Sequence, residues 1–86
     1  MTKQAFLKNY AYTKTALYNK IEVAVLRERQ SAIAASAYTS DDGDVRVIVS
    51  FPRGENSQRH AVYRVDGNKA REENGVWDDV ITLWEV

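Results

Sequence analysis

The chain of 86 residues contains no cysteine and only one histidine. Without cysteine, neither a disulfide nor a thiolate-bound zinc can support the fold, and a single histidine cannot build a zinc site alone. A domain of this length buries only about 60–65% of its unfolded surface, so its stability has to come from good packing or from self-association. The lack of cysteine also fits a cytoplasmic protein, which is the location that we expect.

Long apolar runs are missing as well. Residues 1–8 lack the apolar stretch of a signal peptide, and no segment is long enough to span a membrane. We therefore expect residues 1–86 to form one single domain that does not contact membranes.

Glycine and proline are absent from the first forty residues, whereas all four glycines and the single proline lie in the last forty-six. Because these two residue types form turns and interrupt helices, their distribution predicts a helical part, 1–40, and an antiparallel strand part, 41–86. The net charge also changes sign between these two parts. Residues 1–40 carry six Lys and Arg against two Glu, a net charge of +4, and residues 41–86 carry six against ten Asp and Glu, a net charge of −4.

A helix is predicted to begin at Lys3, with Thr2 as its N-cap. Apolar residues recur at helical spacing on one broad face of this helix: Phe6, Leu7, Tyr10, Leu17, Tyr18, Ile21, Ala24, Val25, Ala32 and Ile33. The pattern indicates a long amphipathic helix that packs on a core. Residues 31–37 either continue it to about residue 36 or, after a break near residue 30, form a second short helix. The polar run 38–44 then ends the helical part.

A second, weaker apolar stripe lies on the opposite side of the predicted helix. Its main members are Tyr12, Ala16, Val23 and Leu26. A helix that packs on one sheet needs a single apolar face, so a second protein surface has to bury this stripe. Two copies related by a twofold axis would each bury it, and we expect a homodimer through these residues. The alternative is a monomer whose stripe is covered by a target protein.

From residue 45 the apolar period changes from 3.6 to 2, which predicts strands at 45–51 and 59–65 and a polar edge strand at 69–73. The dipeptides at 66–67 and 74–75 are hairpin signals. We interpret 76–86 as a further strand, although its apolar spacing also allows a helix. The predicted fold is therefore α+β, with the helix packed on a three- or four-stranded antiparallel sheet. The residues expected in its core are Leu17, Ile21, Val47, Val49, Val62 and Ile81.

Candidate catalytic and metal-binding residues are few. Asp41, Asp42 and Asp44 surround a glycine, but they lack the ligand spacing of a calcium loop, so a solvated turn is the better interpretation. His60 lies within a predicted strand and has no identifiable nucleophile or carboxylate partner. We therefore expect a protein without enzymatic activity and without a metal or cofactor.

A second acidic cluster consists of Glu72, Glu73, Asp78 and Asp79. Paired carboxylates catalyse glycoside hydrolysis when a cleft holds them, but a domain of this size rarely provides one. On a surface, such residues attract a basic partner over a distance. We predict that these four residues bind a protein partner.

Nucleic acid is the alternative partner, bound by a small transcription regulator. A basic helix can follow a phosphate backbone, but the basic residues of the predicted helix scatter around it: Lys3, Lys8, Lys14, Lys20, Arg27 and Arg29. The predicted sheet offers a second set, since several arginines could line one face, with Tyr63 among them to stack on a base. These are Arg46, Arg53, Arg59 and Arg64.

Two resemblances bear on function. Residues 2–10 (Thr-Lys-Gln-Ala-Phe-Leu-Lys-Asn-Tyr), with Leu26-Arg27-Glu28-Arg29, resemble the opening helix of small phage transcription regulators of the late-gene activator type, over about a third of the chain. That likeness implies DNA binding, and the strand-rich remainder departs from it. The format of a tiny, cysteine-free, charge-polarised chain is similar to anti-CRISPR proteins and other phage-encoded inhibitors. This likeness implies an inhibitor that blocks a larger protein or nucleoprotein, such as a bacterial defence complex, in the host cytoplasm.

Overall fold

The structure, a computed structural model, describes residues 3–75 and 78–85, and the side chains of 15–75 and 78–85. One helix is followed by five strands: α1 (Lys3–Glu28), β1 (Ala34–Thr39), β2 (Val45–Pro52), β3 (Gln58–Asp66), β4 (Lys69–Glu72) and β5 (Val80–Thr82). Each strand pairs antiparallel with the next, which gives the sheet order β1-β2-β3-β4-β5. The α+β class and the packing of a helix on an antiparallel sheet are confirmed. The sheet has five strands, so the prediction of three or four is wrong.

The additional strand is β1, which lies where the sequence predicts helix. The helix ends at Glu28, and β1 pairs with β2 from Ala34–Ser50 to Thr39–Val45. A helix that reaches about residue 36, and a second helix after residue 30, are therefore both wrong. Strand structure begins at Ala34 instead of after residue 40. Alanine favours a helix by only a fraction of a kcal/mol over most residues, and pairing with β2 outweighs that preference.

β4 is an interior strand, although its polar sequence predicts an edge. It pairs with β3 on one side and with β5 on the other. Its alternate residues Ala70 and Glu72 are buried, whereas Lys69 and Arg71 are exposed. The segment 76–86, which the sequence leaves open between strand and helix, contains β5, and its residues 76, 77 and 86 lie outside the described residues.

The core lies between α1 and one face of the sheet. Its buried apolar residues are Ile21, Ala24, Val25, Ala37, Val47, Val49, Phe51, Ala61, Tyr63, Ala70, Ile81 and Leu83. Four of the six expected core residues are therefore confirmed. Leu17 is wrong because 37% of it is exposed. Val62 is wrong because its neighbours Ala61 and Tyr63 pair with the inward residues Val49 and Val47, which turns Val62 to the other face.

Glu22 and Arg27 of α1, and Arg29 directly after the helix, bond to the two edges of the sheet. Glu22 Oε2 accepts a hydrogen bond from the Ala37 N–H of β1 at 2.7 Å. At the opposite edge, Arg29 Nη2 donates to the Val80 carbonyl at 3.2 Å, and Arg27 Nη2 donates to the carbonyl of residue 83 at 2.8 Å. Unpaired backbone groups on an edge strand invite pairing with other chains. The helix therefore occupies part of each edge.

Candidate functional site

An apolar depression lies on the face of the sheet that points away from α1. At its centre, Ile48 of β2 and Val62 of β3 are direct register partners, and both are half-buried. Small or polar residues of β1, β2 and β3 also line it, among them Ala34, Ser36, Ser50 and His60. We call these six residues the outer patch. It arises because strand residues alternate between faces, and β2 and β3 carry a β-branched apolar residue at an outward position.

Beside the outer patch, three arginines lie next to one another on adjacent strands. Arg46 of β2 is the register partner of Arg64 of β3, and Arg64 is the register partner of Arg71 of β4. We call these three residues the arginine row. Tyr38 of β1 lies at one end of the row, because it is the register partner of Arg46. Like charges at directly opposite positions destabilise a sheet. The row therefore requires neutralising contacts.

Carboxylates from neighbouring loops supply those contacts. Arg46 donates hydrogen bonds to both carboxylate oxygens of Glu73, at 2.9 and 3.0 Å, and to Asp42 Oδ1 at 2.8 Å. These bonds from Arg46 lower the pKa of both Asp42 and Glu73 below the ordinary carboxyl values. Arg64 Nε lies 3.2 Å from Asp44 Oδ2. Arg71 forms no ion pair with any side chain that the structure describes.

The four carboxylates predicted to bind a partner do not share one surface. Glu72 is buried, with 4% of its surface exposed. Glu73 is exposed and borders the outer patch, since its N–H donates to the Val62 carbonyl at 2.9 Å. Asp79 is half-buried, and Asp78 is exposed. Because Glu73 and Asp79 are each bound to an arginine, less negative charge faces a partner than the sequence suggests. The binding role of the four residues stays a prediction.

The buried carboxylate of Glu72 has one satisfied oxygen. Its Oε1 accepts a hydrogen bond from the Asn74 N–H at 2.9 Å. Its Oε2 is buried and has no hydrogen-bond partner among the described residues. Burying an unpaired carboxylate oxygen is costly.

Asp79 belongs to a polar cluster that ties the end of α1 to the sheet. Its carboxylate accepts hydrogen bonds from Arg29, at 2.7 and 3.0 Å, and from the Tyr63 hydroxyl at 2.7 Å. The bonds from Arg29, and then from Tyr63, hold the pKa of Asp79 below its usual value. Burial, with the bond to Asp79, raises the pKa of Tyr63. We call these three residues the clamp. Sequence reasoning missed it because its members are far apart along the chain.

The described part of the predicted self-association stripe is open to solvent. Val23 is 56% exposed and Leu26 is 37% exposed, and Ala16 is exposed as well. They lie on the side of α1 opposite to the buried Ile21. The side chain of Tyr12 lies outside the described residues. Self-association through this stripe stays a prediction.

Three further findings concern metal ions, membranes and similarity to known proteins. Within the described residues, no group of three or more His, Asp and Glu side chains is arranged to hold a metal ion. No helix in the same part of the chain is long and apolar enough to cross a membrane. Comparisons with protein families, with curated proteins and with solved structures find no match to this chain.

Proposed function

We propose that the chain is a non-enzymatic, protein-binding inhibitor of the phage or mobile-element type, similar to anti-CRISPR and other anti-defence proteins. It blocks a larger protein or nucleoprotein, such as a bacterial defence complex, in the cytoplasm of the host cell. The observation that carries this proposal is the outer patch, an apolar depression on the sheet face that α1 leaves open. The likeness in format to phage-encoded inhibitors supplies the class of protein.

The outer patch and its surroundings have the composition of a protein interface. Such interfaces combine an apolar centre with a polar rim, and tyrosine and arginine are enriched among the residues that contribute most to affinity. Ile48 and Val62 provide the centre, and Tyr38, Arg46 and Arg64 provide the rim. Two carboxylates already hold Arg46 in place. Since its side chain is ordered before binding, less conformational entropy is lost when a partner docks.

The acidic residues have a kinetic role in this proposal. Asp78 is exposed, and Glu73 borders the patch at Val62. Negative charge at the rim attracts a basic partner and speeds association, with little effect on dissociation. Replacing Asp78 by Asn should therefore slow association at low salt, and the difference should shrink as salt screens the charge.

The proposal is tested by capture of a partner from the lysate of a bacterium that carries defence systems. The wild-type protein should retain one protein or complex, and Val62→Glu should lose it because the substitution places a charge at the centre of the patch. Leu17→Glu is the matched control. It introduces the same charge on α1, at a position that is 37% exposed and lies outside both the outer patch and the proposed dimer contact, and it should still capture the partner. The proposal fails if the wild-type protein retains no partner. It also fails if Val62→Glu retains the same partner as wild type.

The arginine row supports a second candidate, a small nucleic-acid-binding transcription regulator. Arg71 has no ion pair among the described side chains, and Tyr38 lies at the other end of the row, where it could stack on a base. Binding to random duplex and single-stranded DNA should then fall steeply as salt increases. Arg71→Gln should reduce that slope. Absence of binding at low salt would remove this candidate.

We also propose that the protein forms a homodimer through Tyr12, Ala16, Val23 and Leu26. The exposed apolar surface of Val23 and Leu26 supports it, and burial between two copies would add stability that a core of this size lacks. Light scattering over a range of concentrations tests it. A monomer mass at every concentration would contradict the dimer.

A further inference from the structure

β1 is an edge strand, and its hydrogen bonds show which of its backbone groups point outward. It pairs with β2 on one side only. Directly after β1, the Ser40 N–H donates to the Asp44 carbonyl, on the side of β2. Three residues earlier, the Ala37 N–H donates to Glu22 on the opposite side. Successive strand residues turn their backbone groups to opposite sides. The residues whose N–H and C=O groups point away from β2 are therefore Ala35, Ala37 and Thr39.

β1 lacks the features that usually keep an edge strand from pairing with another chain. Such strands are commonly short or carry charged side chains or proline. The six residues of β1, Ala-Ala-Ser-Ala-Tyr-Thr, include neither a charge nor a proline. The opposite edge strand, β5, has only three residues, and Arg29 donates to its Val80 carbonyl. Of the two edges, β1 is therefore the more open to pairing.

One face of α1 runs alongside this edge. The Tyr18 hydroxyl is hydrogen-bonded to Thr39 Oγ1, and Glu22 accepts from the Ala37 N–H. The helix therefore runs in the direction opposite to β1. Residues spaced three and four apart on this face line an open groove beside the edge. We call these residues the flank: Thr15, Ala16, Tyr18, Asn19 and Glu22.

Glu22 takes the place of the carbonyl group of a missing strand. Its Oε2 accepts the outward Ala37 N–H at 2.7 Å, a bond that a strand carbonyl makes when the sheet continues. The Glu22 side chain covers one backbone group, whereas an added strand would bond both the N–H and the C=O of Ala37. The same strand would also reach the outward groups of Ala35 and Thr39. An extended chain therefore replaces one bond by several.

We propose that β1 binds an extended segment of the partner protein as a sixth, antiparallel strand, with a lysine or arginine opposite Ala37. This inference rests on the proposed protein-binding function and names the part of the partner that docks. Addition of a strand to a sheet edge is a recurrent mode of peptide recognition. Main-chain hydrogen bonds supply affinity, and alternate side chains supply specificity.

The charge of the flank determines which side chain lies opposite Ala37. Directly paired strand residues point to the same face, and Ala37 is buried on the face toward α1. The opposite residue therefore faces the Glu22 carboxylate that its own backbone has displaced. Glu22 is the one charge among the described residues that line the groove. A basic side chain pairs with this carboxylate, whereas an acidic one is repelled.

A second copy of the chain is a less suitable occupant of this edge. If two β1 strands paired with each other, each would place its own small or uncharged residues opposite Ala37. The displaced Glu22 carboxylate would then meet no cation from the added strand. The flank therefore favours a partner with a basic residue over self-pairing.

The other side chains of the added strand continue the outer patch. Residues on either side of the basic one point to the outer face, next to Ser36 and Tyr38 of β1. Ser36 belongs to the outer patch, so the added strand widens that surface by one strand. Apolar residues at these two positions fit beside the apolar centre formed by Ile48 and Val62.

A synthetic peptide tests strand addition. Acetyl-Ser-Thr-Val-Lys-Val-Thr-Ser-amide places a lysine between two outward valines, and it is titrated into the isotope-labelled full chain while NMR follows the backbone amides. The amides of Ala35, Ala37 and Thr39 should shift together as the peptide binds. The matched peptide has a methyl group on the backbone nitrogen of its lysine. It keeps every side chain but cannot donate to the Ala37 carbonyl, and it should bind at least about tenfold more weakly. Equal binding of the two peptides would overturn strand addition.

A second pair of peptides tests the role of Glu22. Replacing the lysine of the peptide by glutamate should weaken binding to wild type by about tenfold. Glu22→Gln keeps an acceptor for the Ala37 N–H but removes the charge, so the preference for lysine should largely disappear. Glu28→Gln is the matched control, because it makes the same change at an exposed position of α1 outside the flank, and it should keep the preference. An undiminished preference in Glu22→Gln would overturn the assigned contact.

The remaining outcomes separate this inference from its competitors. If the three amides do not shift with the lysine peptide, the edge site is overturned. If they shift with protein concentration alone, a second copy occupies β1 and the proposal is overturned as well. Peptide binding should survive Val62→Glu, which lies two strands away from the edge. Partner capture that depends on Val62 without peptide binding overturns only this inference, and peptide binding without capture overturns only the function assigned to the outer patch.

Discussion

The substitution Asp79→Asn tests whether the clamp holds the end of α1 to the sheet. It keeps the size of the side chain and one acceptor oxygen but removes the negative charge. In the native protein the Asp79 carboxylate accepts two hydrogen bonds from Arg29 and one from the Tyr63 hydroxyl. Arg29 also donates to the Val80 carbonyl. Loss of the charge therefore weakens the contact between the end of the helix and β5.

The size of the effect follows from these bonds. Hydrogen bonds that involve a charged group contribute about 1.5–3 kcal/mol each, and neutral ones about 1 kcal/mol. The side chains of Arg29 and Asp79 are 30% and 26% exposed, so water replaces part of what is lost, and asparagine retains one acceptor. We expect the free energy of unfolding to fall by about 1–3 kcal/mol. For a domain of this size the melting midpoint should fall by roughly 5–20 °C.

Thermal and urea unfolding at pH 7, followed by circular dichroism, measure this change. Asp78→Asn is the matched control, because it makes the same chemical change at the adjacent, exposed position. Asp78 has a positive φ of 49°, which asparagine tolerates as well as aspartate. The control should therefore stay within about 0.5 kcal/mol of wild type.

Equal unfolding curves for Asp79→Asn and Asp78→Asn would refute the clamp. Tyr63→Phe provides an independent check, since it removes only the hydroxyl. If the three side chains act as one unit, the double variant Tyr63→Phe/Asp79→Asn should lose less stability than the sum of the two single variants. Additive losses would show that the Tyr63 hydroxyl and Asp79 act separately.

Three further outcomes are expected. Ile21 is fully buried, so Ile21→Ala should lower the free energy of unfolding by about 2–5 kcal/mol, and an unchanged melt would show that α1 packs through another face. The pKa of Asp79 is lower in the folded than in the unfolded state, so its contribution is present above about pH 4 and is lost as the pH falls through the folded value. The melting difference between wild type and Asp79→Asn should accordingly shrink in acid, and a constant difference down to about pH 2 would contradict this account. Glu22→Ala should speed hydrogen exchange of the Ala37 amide, which loses its acceptor, and unchanged exchange at that amide would rule out the edge contact.

The strands β2 and β3 could be predicted because local signals determine them. Apolar residues alternate along 45–51 and 59–65, and the Asp66-Gly67 turn adopts the positive φ that favours glycine, with 59° at Gly67. Alternation fixes which residues share a face, but it does not say which of two apolar faces meets the helix. The register between β2 and β3 makes that choice. The sequence therefore predicts Val62 in the core, whereas in the structure Val62 lies on the outer face.

β1 could not be predicted, because nothing local marks it as a strand. Its sequence, Ala-Ala-Ser-Ala-Tyr-Thr, has small residues on both faces and no apolar alternation. Its conformation depends on pairing with β2 and on the bond from Glu22 to the Ala37 N–H. The clamp and the burial of Glu72 could not be predicted for related reasons. Glu72 and Glu73 are neighbours in sequence, yet strand alternation buries the first and exposes the second.

The positions of the outer patch and of the exposed Val23 and Leu26 give the proposed dimer a consequence for binding. The patch lies on the side of the sheet away from α1, and Val23 and Leu26 lie on the side of α1 away from the sheet, so the helix and the sheet separate them. A dimer through Val23 and Leu26 would therefore leave both outer patches uncovered. Two linked sites raise the apparent affinity for a target that offers two copies of the same surface, provided that the geometry allows both to engage. Val23→Glu should then weaken capture of a repetitive complex while leaving the affinity for one isolated target subunit unchanged, whereas Val62→Glu should reduce both.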